Sequence, residues 1–185
     1  MHQVDDLIGL FEAQFYSAFN TRLVRGTDEP IYLPAGEGQS FAQIVFAHGY
    51  YASALHEIAH WCLAGLARLD KVDYGYWYCP DGRNAEQQAA FEKVEIKPQA
   101  IEWAMCLAAG KSFRVSTDNL NGVEPDHIRF ENNVRAQLQV YLQQGFPARA
   151  QQFIDALQQF YGTAPLSQNI LKQSALIDEV HVANV

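Results

Sequence analysis

The chain has 185 residues and a mass of 20.8 kDa, with 49% hydrophobic and 18% charged residues, a composition that favours one compact globular domain over a disordered or fibrous protein. Thirteen Lys and Arg against twenty-one Asp and Glu give a formal charge of −8. This balance argues against a protein that binds nucleic acid phosphates and favours a cationic substrate or partner.

The cysteines indicate a reducing compartment. Cys62, Cys79 and Cys106 form neither a CxxC pair nor an even-numbered framework, so reduced thiols are favoured over a disulfide scaffold or a zinc knuckle.

The first residues are acidic rather than basic and apolar, which argues against a secretory signal. The least charged stretch, residues 38–56, is too polar to span a bilayer. We therefore expect a cytoplasmic protein with no membrane contact, and a monomer by default.

The first quarter of the chain predicts one helix followed by extended segments. Apolar residues recur at helical spacing from Leu7 onwards and predict an amphipathic helix that ends near Asn20. Residues 22–34 hold two prolines and predict an extended or edge segment, because proline cannot donate to an interior ladder. Residues 44–46 then predict a short buried strand that ends at His48.

The next elements are a buried helix and a strand. Residues 50–66 are rich in Ala, Leu and Ile and predict a mostly buried helix, with Ser53 as a cap near its start and Gly65 near its end. Alternating aromatic residues between 72 and 79 predict a strand. A turn is expected to follow at residues 80–82, which read Pro-Asp-Gly.

The rest of the chain is predicted to be helical. A helix from Asn84 should be kinked or broken at Pro98 before it resumes over residues 99–109. Residues 128–142 and 148–161 predict two antiparallel helices. The whole chain, residues 1–185, thus predicts a single α+β domain, mainly helical with a small β-sheet, and a weakly structured tail over about 164–185.

The motif richest in chemistry is the pentapeptide His56-Glu57-Ile58-Ala59-His60, on the central predicted helix. Two histidines four residues apart project from neighbouring turns on one helix face, so both rings can bind one metal ion. In zinc hydrolases with this pattern, the glutamate activates the metal-bound water. The alternative is a purely structural role, in which backbone carbonyls accept the hydrogen bonds of both histidines. This alternative is disfavoured because it leaves buried titratable rings without a partner charge.

A third metal ligand is needed, because metal sites in enzymes usually have three protein ligands and an open position. Glu95 is the preferred candidate because its apolar neighbours favour an inward-facing carboxylate. Glu95 and Glu102 would share a face of an unbroken helix, but Pro98 makes such a helix doubtful. The spacing leaves several other candidates open, namely His48, Asp73, Asp81, Glu92 and Glu102.

Two histidines and one carboxylate suit either zinc hydrolysis or a non-haem iron site that uses dioxygen. The ligand types alone do not separate the two chemistries. Longer stretches of the sequence do. These stretches are residues 44–62 (IVFAHGYYASALHEIAHWC), 75–83 (GYWYCPDGR), 94–100 (VEIKPQA), 20–23 (NTRL), 28–34 (DEPIYLP) and 118–120 (DNL).

Together these stretches closely resemble the bacterial elongation factor P hydroxylase family, over most of the chain. The resemblance implies an Fe(II)- and dioxygen-dependent hydroxylation of the lysine of elongation factor P that already carries a β-lysyl group. It also implies that the metal ligands are His56, His60 and Glu95. It identifies no reductant or cosubstrate, and it leaves the hydroxylated carbon and the stereochemistry open.

Five further side chains are candidates for function. Glu57 is interpreted as a residue that orients a metal ligand or relays a proton. The other four are candidates for substrate contact, with a structural role in the core or in a local turn as the alternative. They are His48, Tyr76, Tyr78 and Asp81. Arg83 and Lys97 are interpreted as structural ion partners or solvated residues. The alternatives to a hydroxylase are a zinc metallopeptidase and a metal-free module that binds a basic peptide.

Overall fold

The computed structural model describes residues 2–36, 38–72 and 81–167, which form five helices and a three-stranded sheet. This confirms the prediction of a mainly helical α+β fold. The elements in chain order are α1 (Val4–Phe19), β1 (Thr21–Arg25), β2 (Ile31–Leu33), β3 (Ala42–Phe46), α2 (Tyr51–Leu63), α3 (Ala85–Ala108), α4 (His127–Gln144) and α5 (Ala148–Tyr161).

The sheet has the strand order β1-β3-β2. β3 lies in the centre, parallel to β1 and antiparallel to β2, with Ile44 paired to Leu23 on one side and to Tyr32 on the other. β2 lies between Pro30 and Pro34 on the edge of the sheet, as the prolines of this segment predict. The alternating burial of β1 and β3 places one face of the sheet against the helices.

The core lies between the sheet and the helices, and every helix contributes to it. α1 buries one stripe of residues, Leu7, Phe11 and Phe15, at the spacing that the sequence predicts. α2 is buried along most of its length, and it packs against β3, α3 and α5. The helix with the two histidines therefore lies in the middle of the fold.

α2 begins one residue later and ends three residues earlier than the predicted range, and the predicted cap is wrong. Tyr50 occupies the N-cap position and makes no side-chain cap. Ser53 instead accepts a hydrogen bond of 3.1 Å from the backbone N–H of Ala47, in the turn that leads into the helix. Ser53 therefore fixes the approach of the chain to α2 rather than the first turn of the helix itself.

α3 is one continuous helix, so the break predicted at Pro98 is wrong. Asn84 caps this helix in a reciprocal capping box with Gln87, which agrees with the predicted start. Proline inside a helix costs about 3 kcal/mol. α3 packs against α2, α4 and α5, and full burial of side chains such as Ile101 and Met105 contributes about 1.5–3 kcal/mol each. Packing therefore outweighs the cost of Pro98.

The last two helices, α4 and α5, lie where the sequence predicts them. The predicted strand over 72–79 falls almost entirely outside the described residues, as does most of the predicted tail, from residue 168 onwards. Within the described part of the chain, no helix combines the length and the apolar character needed to cross a bilayer.

Candidate metal centre

The two histidines of α2 face each other across one turn of the helix. The Nε2 atoms of His56 and His60 are 3.1 Å apart, and their ring centroids are 4.7 Å apart. Leu55, Ile58 and Ala59 on the same helix are fully buried, whereas both histidines are only partly buried. α2 thus buries its apolar residues in the core and keeps both imidazoles at the edge of the core.

Trp61 holds this helix against α1. Its ring lies 5.1 Å from Phe11, 4.9 Å from Phe15 and 5.2 Å from Phe19 between centroids, in each case edge to face. Aromatic pairs of this kind add about 0.5–1.5 kcal/mol each beyond the burial of their area. The residue next to His60 is therefore fixed by close aromatic packing.

Glu95 brings a carboxylate from α3 to the two histidines. Its Oε1 lies 3.2 Å from Nε2 of His60 and its Oε2 lies 3.6 Å from Nε2 of His56. The three side chains form a group whose possible ligand atoms all lie within 4.8 Å of one another. The structure therefore brings together the three residues that the resemblance to the family implies as ligands.

The separations fit a shared metal ion. Nitrogen and oxygen ligands bind at about 2.0–2.2 Å, so neighbouring donor atoms around one ion lie about 3.0–3.5 Å apart. Two of the three separations, 3.1 and 3.2 Å, lie in this range, and the third, 3.6 Å, lies just above it. The donor set contains imidazole and carboxylate and no thiolate, which suits Zn²⁺ and Fe²⁺ alike.

Glu102 lies behind His56 rather than in the donor set. Its Oε2 accepts a hydrogen bond of 2.8 Å from Nδ1 of His56, one side of the ring, while Nε2 on the other side faces Glu95. Because an ionised carboxylate can only accept hydrogen bonds, Nδ1 of His56 must carry the proton. In the neutral imidazole, the lone pair that can bind a metal is therefore on Nε2. Glu95 and Glu102, seven residues apart, share one face of the unbroken α3.

Gln99 fixes the orientation of Glu95, and sequence reasoning did not identify it. Its amide donates to Oε2 of Glu95 at 3.3 Å and to the carbonyl of Ser116 at 2.7 Å, and it accepts from the backbone N–H of Ser116 at 3.0 Å. Gln99 is one helical turn after Glu95, and this spacing is the signal that points to it in the sequence.

Charge and burial act against each other at this site. Burial alone raises the pKa of Glu95, but the charges and hydrogen bonds of the neighbouring histidines lower it to about 2. Burial alone lowers the pKa of His56, but the hydrogen bond and the charge of Glu102 raise it well above its usual value. Burial raises the pKa of Glu57, which lies between the histidines in sequence and is partly buried. These side chains therefore form a charged cluster at the edge of the core.

The remaining third-ligand candidates lie elsewhere or outside the described residues. Glu92 is buried, and it accepts hydrogen bonds from Arg129 at 3.0 Å and from Gln88 at 3.2 Å. Asp81 accepts from the backbone N–H groups of Gly82 and Asn121, and none of these atoms belongs to the histidine group. Asp73 lies outside the described residues.

The candidate substrate contacts are placed only in part. His48 is exposed, has a positive φ of 54° in the turn before α2, and packs its ring 5.7 Å from that of Tyr50. Asp81 accepts hydrogen bonds from Asn121, which agrees with the alternative of a structural role in a local turn. Tyr76 and Tyr78 lie outside the described residues.

Comparison with known proteins decides the family. A family profile described as elongation factor P hydroxylase matches residues 10–171. The chain belongs to the elongation factor P hydroxylase family. The chain is also 50% identical over 162 residues to a protein from Haemophilus influenzae named elongation factor P lysine hydroxylase. The aligned residues cover 88% of this chain and 91% of that relative. The histidine and glutamate group of this family member lies inside the matched range.

Proposed function

We propose that this chain is a non-haem iron, dioxygen-dependent hydroxylase, a monooxygenase-type oxidoreductase, that acts on the β-lysylated lysine of elongation factor P. Membership of the family supports the hydroxylase activity and the substrate. The observation that carries the metal proposal is the convergence of His56, His60 and Glu95 at donor separations that suit one ion. A modifier of a translation factor would work in the cytoplasm.

His56, His60 and Glu95 would hold Fe(II) through two imidazole nitrogens and one carboxylate. When bound, such an ion supplies the activation of dioxygen for insertion into a C–H bond, provided that the protein leaves coordination positions open. The chain contributes a donor set from two packed helices, with Glu102 bonded to His56 and Gln99 bonded to Glu95. These contacts orient the ligands before the ion arrives.

Glu57 is proposed to orient a ligand or to relay a proton, because it follows His56 directly on the helix. Its carboxylate is not one of the three groups that converge. A role beside the donor set is therefore compatible with the position of Glu57. In a zinc peptidase with the same motif, the glutamate at this position is the general base.

The substrate contacts are proposed on chemistry. A β-lysylated lysine is long and cationic, and aromatic faces with nearby carboxylates suit its methylene stem and its ammonium groups. Tyr76, Tyr78, His48 and Asp81 stay proposals for this role. Both oxygens of Asp81 already accept hydrogen bonds from Asn121, which favours a structural role for this residue. The net charge of −8 would attract the basic substrate.

The test is oxygen transfer to the modified substrate. The anaerobically prepared protein, loaded with Fe(II), is mixed with β-lysylated elongation factor P, dioxygen and a chemical reductant such as ascorbate, and the mass of the product is measured. The reductant supplies the two electrons that reduce the second oxygen atom to water. We expect the addition of one oxygen atom by the wild type and none by Glu95→Ala, with Glu92→Gln as a buried control on the same helix. Failure of the Fe(II)-loaded wild type to add oxygen would overturn the proposal.

The same preparation separates the two alternatives. Cleavage of casein with zinc bound, lost in Glu57→Gln, would identify a metallopeptidase. Unchanged processing of elongation factor P by His60→Ala would identify a metal-free binding module. Analysis of the metal content after anaerobic purification reports on iron independently of turnover.

A further inference from the structure

The amide that orients Glu95 is itself oriented by the backbone of another segment. The side-chain nitrogen of Gln99 has two protons, of which one is donated to the carbonyl of Ser116 at 2.7 Å and the other to Glu95 at 3.3 Å. The side-chain oxygen of Gln99 accepts from the backbone N–H of Ser116 at 3.0 Å. Because both ends of the amide are bonded to Ser116, the position of this backbone determines which proton faces Glu95.

The side chain of Arg83 holds the residues that follow Ser116. Arg83 is fully buried, which excludes the solvated role considered for it. Its Nη2 donates to the carbonyls of Thr117 and Asp118 at 2.7 Å each. A guanidinium has its donors fixed in one plane, so two successive carbonyls are held at defined positions relative to it.

Arg83 is fixed in turn from two directions. Its Nε donates to Gln88 at 2.9 Å, and its guanidinium lies 3.8 Å from the ring centroid of Phe91, both of which belong to α3. The side chain of Asn119 accepts from the backbone N–H of Arg83 at 2.7 Å and donates to its carbonyl at 3.0 Å. Arg83 and residues 117–119 thus hold each other through side-chain bonds to backbone in both directions, an arrangement called here the clasp.

The clasp keeps one residue in an unfavourable backbone conformation. Asp118 has a φ of 41°, in the left-handed region that few residues other than glycine, asparagine and aspartate adopt. Its carbonyl accepts from Arg83, and its carboxylate accepts from the hydroxyl of Ser116. Such a conformation persists only where the surrounding contacts over-determine it. The clasp therefore fixes the turn that places Ser116 against Gln99.

Arg83 lies well away from the candidate metal centre. Glu95 is ten residues after Ala85, the first residue of α3, and so about 15 Å further along the helix axis. The hydrogen bonds of the clasp nevertheless give a continuous path between the two. It runs from Arg83 to the backbone of residues 117–118, then through Ser116 to Gln99, and ends at Glu95.

We propose that Arg83 is a positioning residue for the metal centre, and that it acts through Ser116 and Gln99 on the carboxylate of Glu95. This inference rests on the proposed function, because it concerns the ion that Glu95 would hold. A functional side chain has to be held within about 0.5 Å of its productive position. A flexible glutamine meets this requirement only if its own amide is fixed, and the clasp provides that fixed point.

Metal binding without turnover tests the role of Arg83. Arg83→Lys keeps the charge but loses the planar set of donors. We expect this variant to raise the Kd for Fe(II) about tenfold in anaerobic calorimetric titration, an effect typical of residues that orient metal ligands. The absorption spectrum of bound Co(II), which reports ligand geometry, should change as well.

Leu138→Ala is the matched control for a general loss of stability. Leu138 is a fully buried residue of α4, outside the clasp, and its truncation leaves a cavity that lowers the stability of the fold. The Kd for Fe(II) and the Co(II) spectrum should both stay at their wild-type values. An equal rise of Kd in Leu138→Ala and Arg83→Lys would overturn the proposal.

A double-mutant cycle tests the path through Gln99. Gln99→Met removes the amide, and we expect it to raise the Kd for Fe(II) about tenfold. If Gln99 transmits the effect of Arg83, the double variant should bind Fe(II) about as weakly as Gln99→Met alone. Additive effects, with a Kd about 100-fold above that of the wild type, would overturn the proposed path.

Gly122→Ala displaces the clasp without removing any side chain of the path, and it serves if Arg83→Lys does not fold. A Cβ at this position would clash with the carbonyl of Arg83 and the side chain of Asn119, so the Kd for Fe(II) should rise here too. A wild-type Kd in folded Arg83→Lys, or in Gly122→Ala where only this variant folds, would overturn the proposal. A wild type that binds Fe(II) through Glu95 but adds no oxygen would overturn the proposed reaction and leave the role of Arg83 standing.

Discussion

The Nδ1 atom of His56 lies 2.8 Å from Oε2 of Glu102, a residue 46 positions away on another helix. This hydrogen bond occupies the side of the imidazole that faces away from Glu95. It turns the opposite nitrogen towards the other donors and holds the ring in that orientation. The candidate metal centre is therefore organised by a carboxylate that does not belong to the candidate donor set.

Replacement of Glu102 should weaken metal binding in steps. Glu102→Gln keeps a hydrogen-bond acceptor but loses the charge, so we expect the affinity for Fe(II) to fall about tenfold. Glu102→Ala loses both, and we expect a fall of about 100-fold, the upper end for partners of metal-bound histidines. Anaerobic calorimetric titration with Fe(II) measures both effects, and the spectrum of the bound metal reports any change of ligand orientation.

Glu92→Gln is the control for Glu102, since it removes the charge of another buried carboxylate on α3 that touches neither histidine. Equal losses of affinity in Glu92→Gln and Glu102→Gln would show that the helix as a whole, and not the bond to His56, sets the affinity.

Metal binding should stabilise the protein only through the converging side chains. At a free Fe(II) concentration 100 times Kd, one site adds about 2.7 kcal/mol to the free energy of unfolding, which raises Tm by about 5–10 °C for a chain of this size. We expect this rise under anaerobic conditions in the wild type and in His127→Ala, a control on α4. His60→Ala and Glu95→Ala should show no rise, and a full rise in either would place the ion elsewhere.

Gly122→Ala should destabilise the protein, because its Cβ would clash with the carbonyl oxygen of Arg83. Forcing extra atoms into a packed position costs about 1–3 kcal/mol. Gly65→Ala is the control, since a Cβ there meets nothing within 4 Å and the backbone φ is −65°. Urea denaturation compares the two variants. Equal stability of the two variants would mean that the loop around Gly122 moves freely enough to accept the methyl group.

The thiol of Cys106 should be inert in the folded protein. It is 2% exposed, and burial raises its pKa from 9.0 to about 12. In Cys79→Ser, an aromatic disulfide reagent at pH 8 should therefore react with Cys62 and Cys106 only after unfolding, since both are buried. Rapid reaction of the native variant would contradict this burial.

The raised pKa of Cys106 also has a consequence for stability. Above pH 9 the thiol of Cys106 ionises in the unfolded chain, whereas in the folded chain it keeps its proton. The free energy of unfolding therefore has its full contribution from this thiol below pH 9 and loses it between pH 9 and about 12. Cys106→Ala should lose less stability than the wild type over this interval, measured by urea denaturation at each pH.

The sequence predicts the local features of this fold well, because they depend on spacing within one element. The stripe of α1, the edge strand at Ile31–Leu33 and the start of α3 at Asn84 each follow from residues within a few positions of one another. The break at Pro98 is wrong because the proline rule counts a lost hydrogen bond and cannot count the packing of α3 against three other helices.

The site is predicted less completely for a similar reason. The spacing of His56 and His60 places both rings on one face, and the apolar neighbours of Glu95 and the family resemblance favour Glu95 among the acids. The packing of α2 against α3 is what brings its carboxylate to both rings. Glu102 was a candidate ligand and is instead the partner of Nδ1. Gln99 carries no charge and belongs to no motif, so only its spacing of one helical turn from Glu95 points to their contact in the sequence.

The packing of Trp61 against the phenylalanines of α1 links the first helix of the chain to the histidine beside Trp61. Truncation of Phe11 or Phe15 would shift the indole and, through the backbone, tilt the imidazole of His60. A saturation mutagenesis screen should therefore find residues near the start of the chain whose replacement impairs iron retention although they never approach the ion.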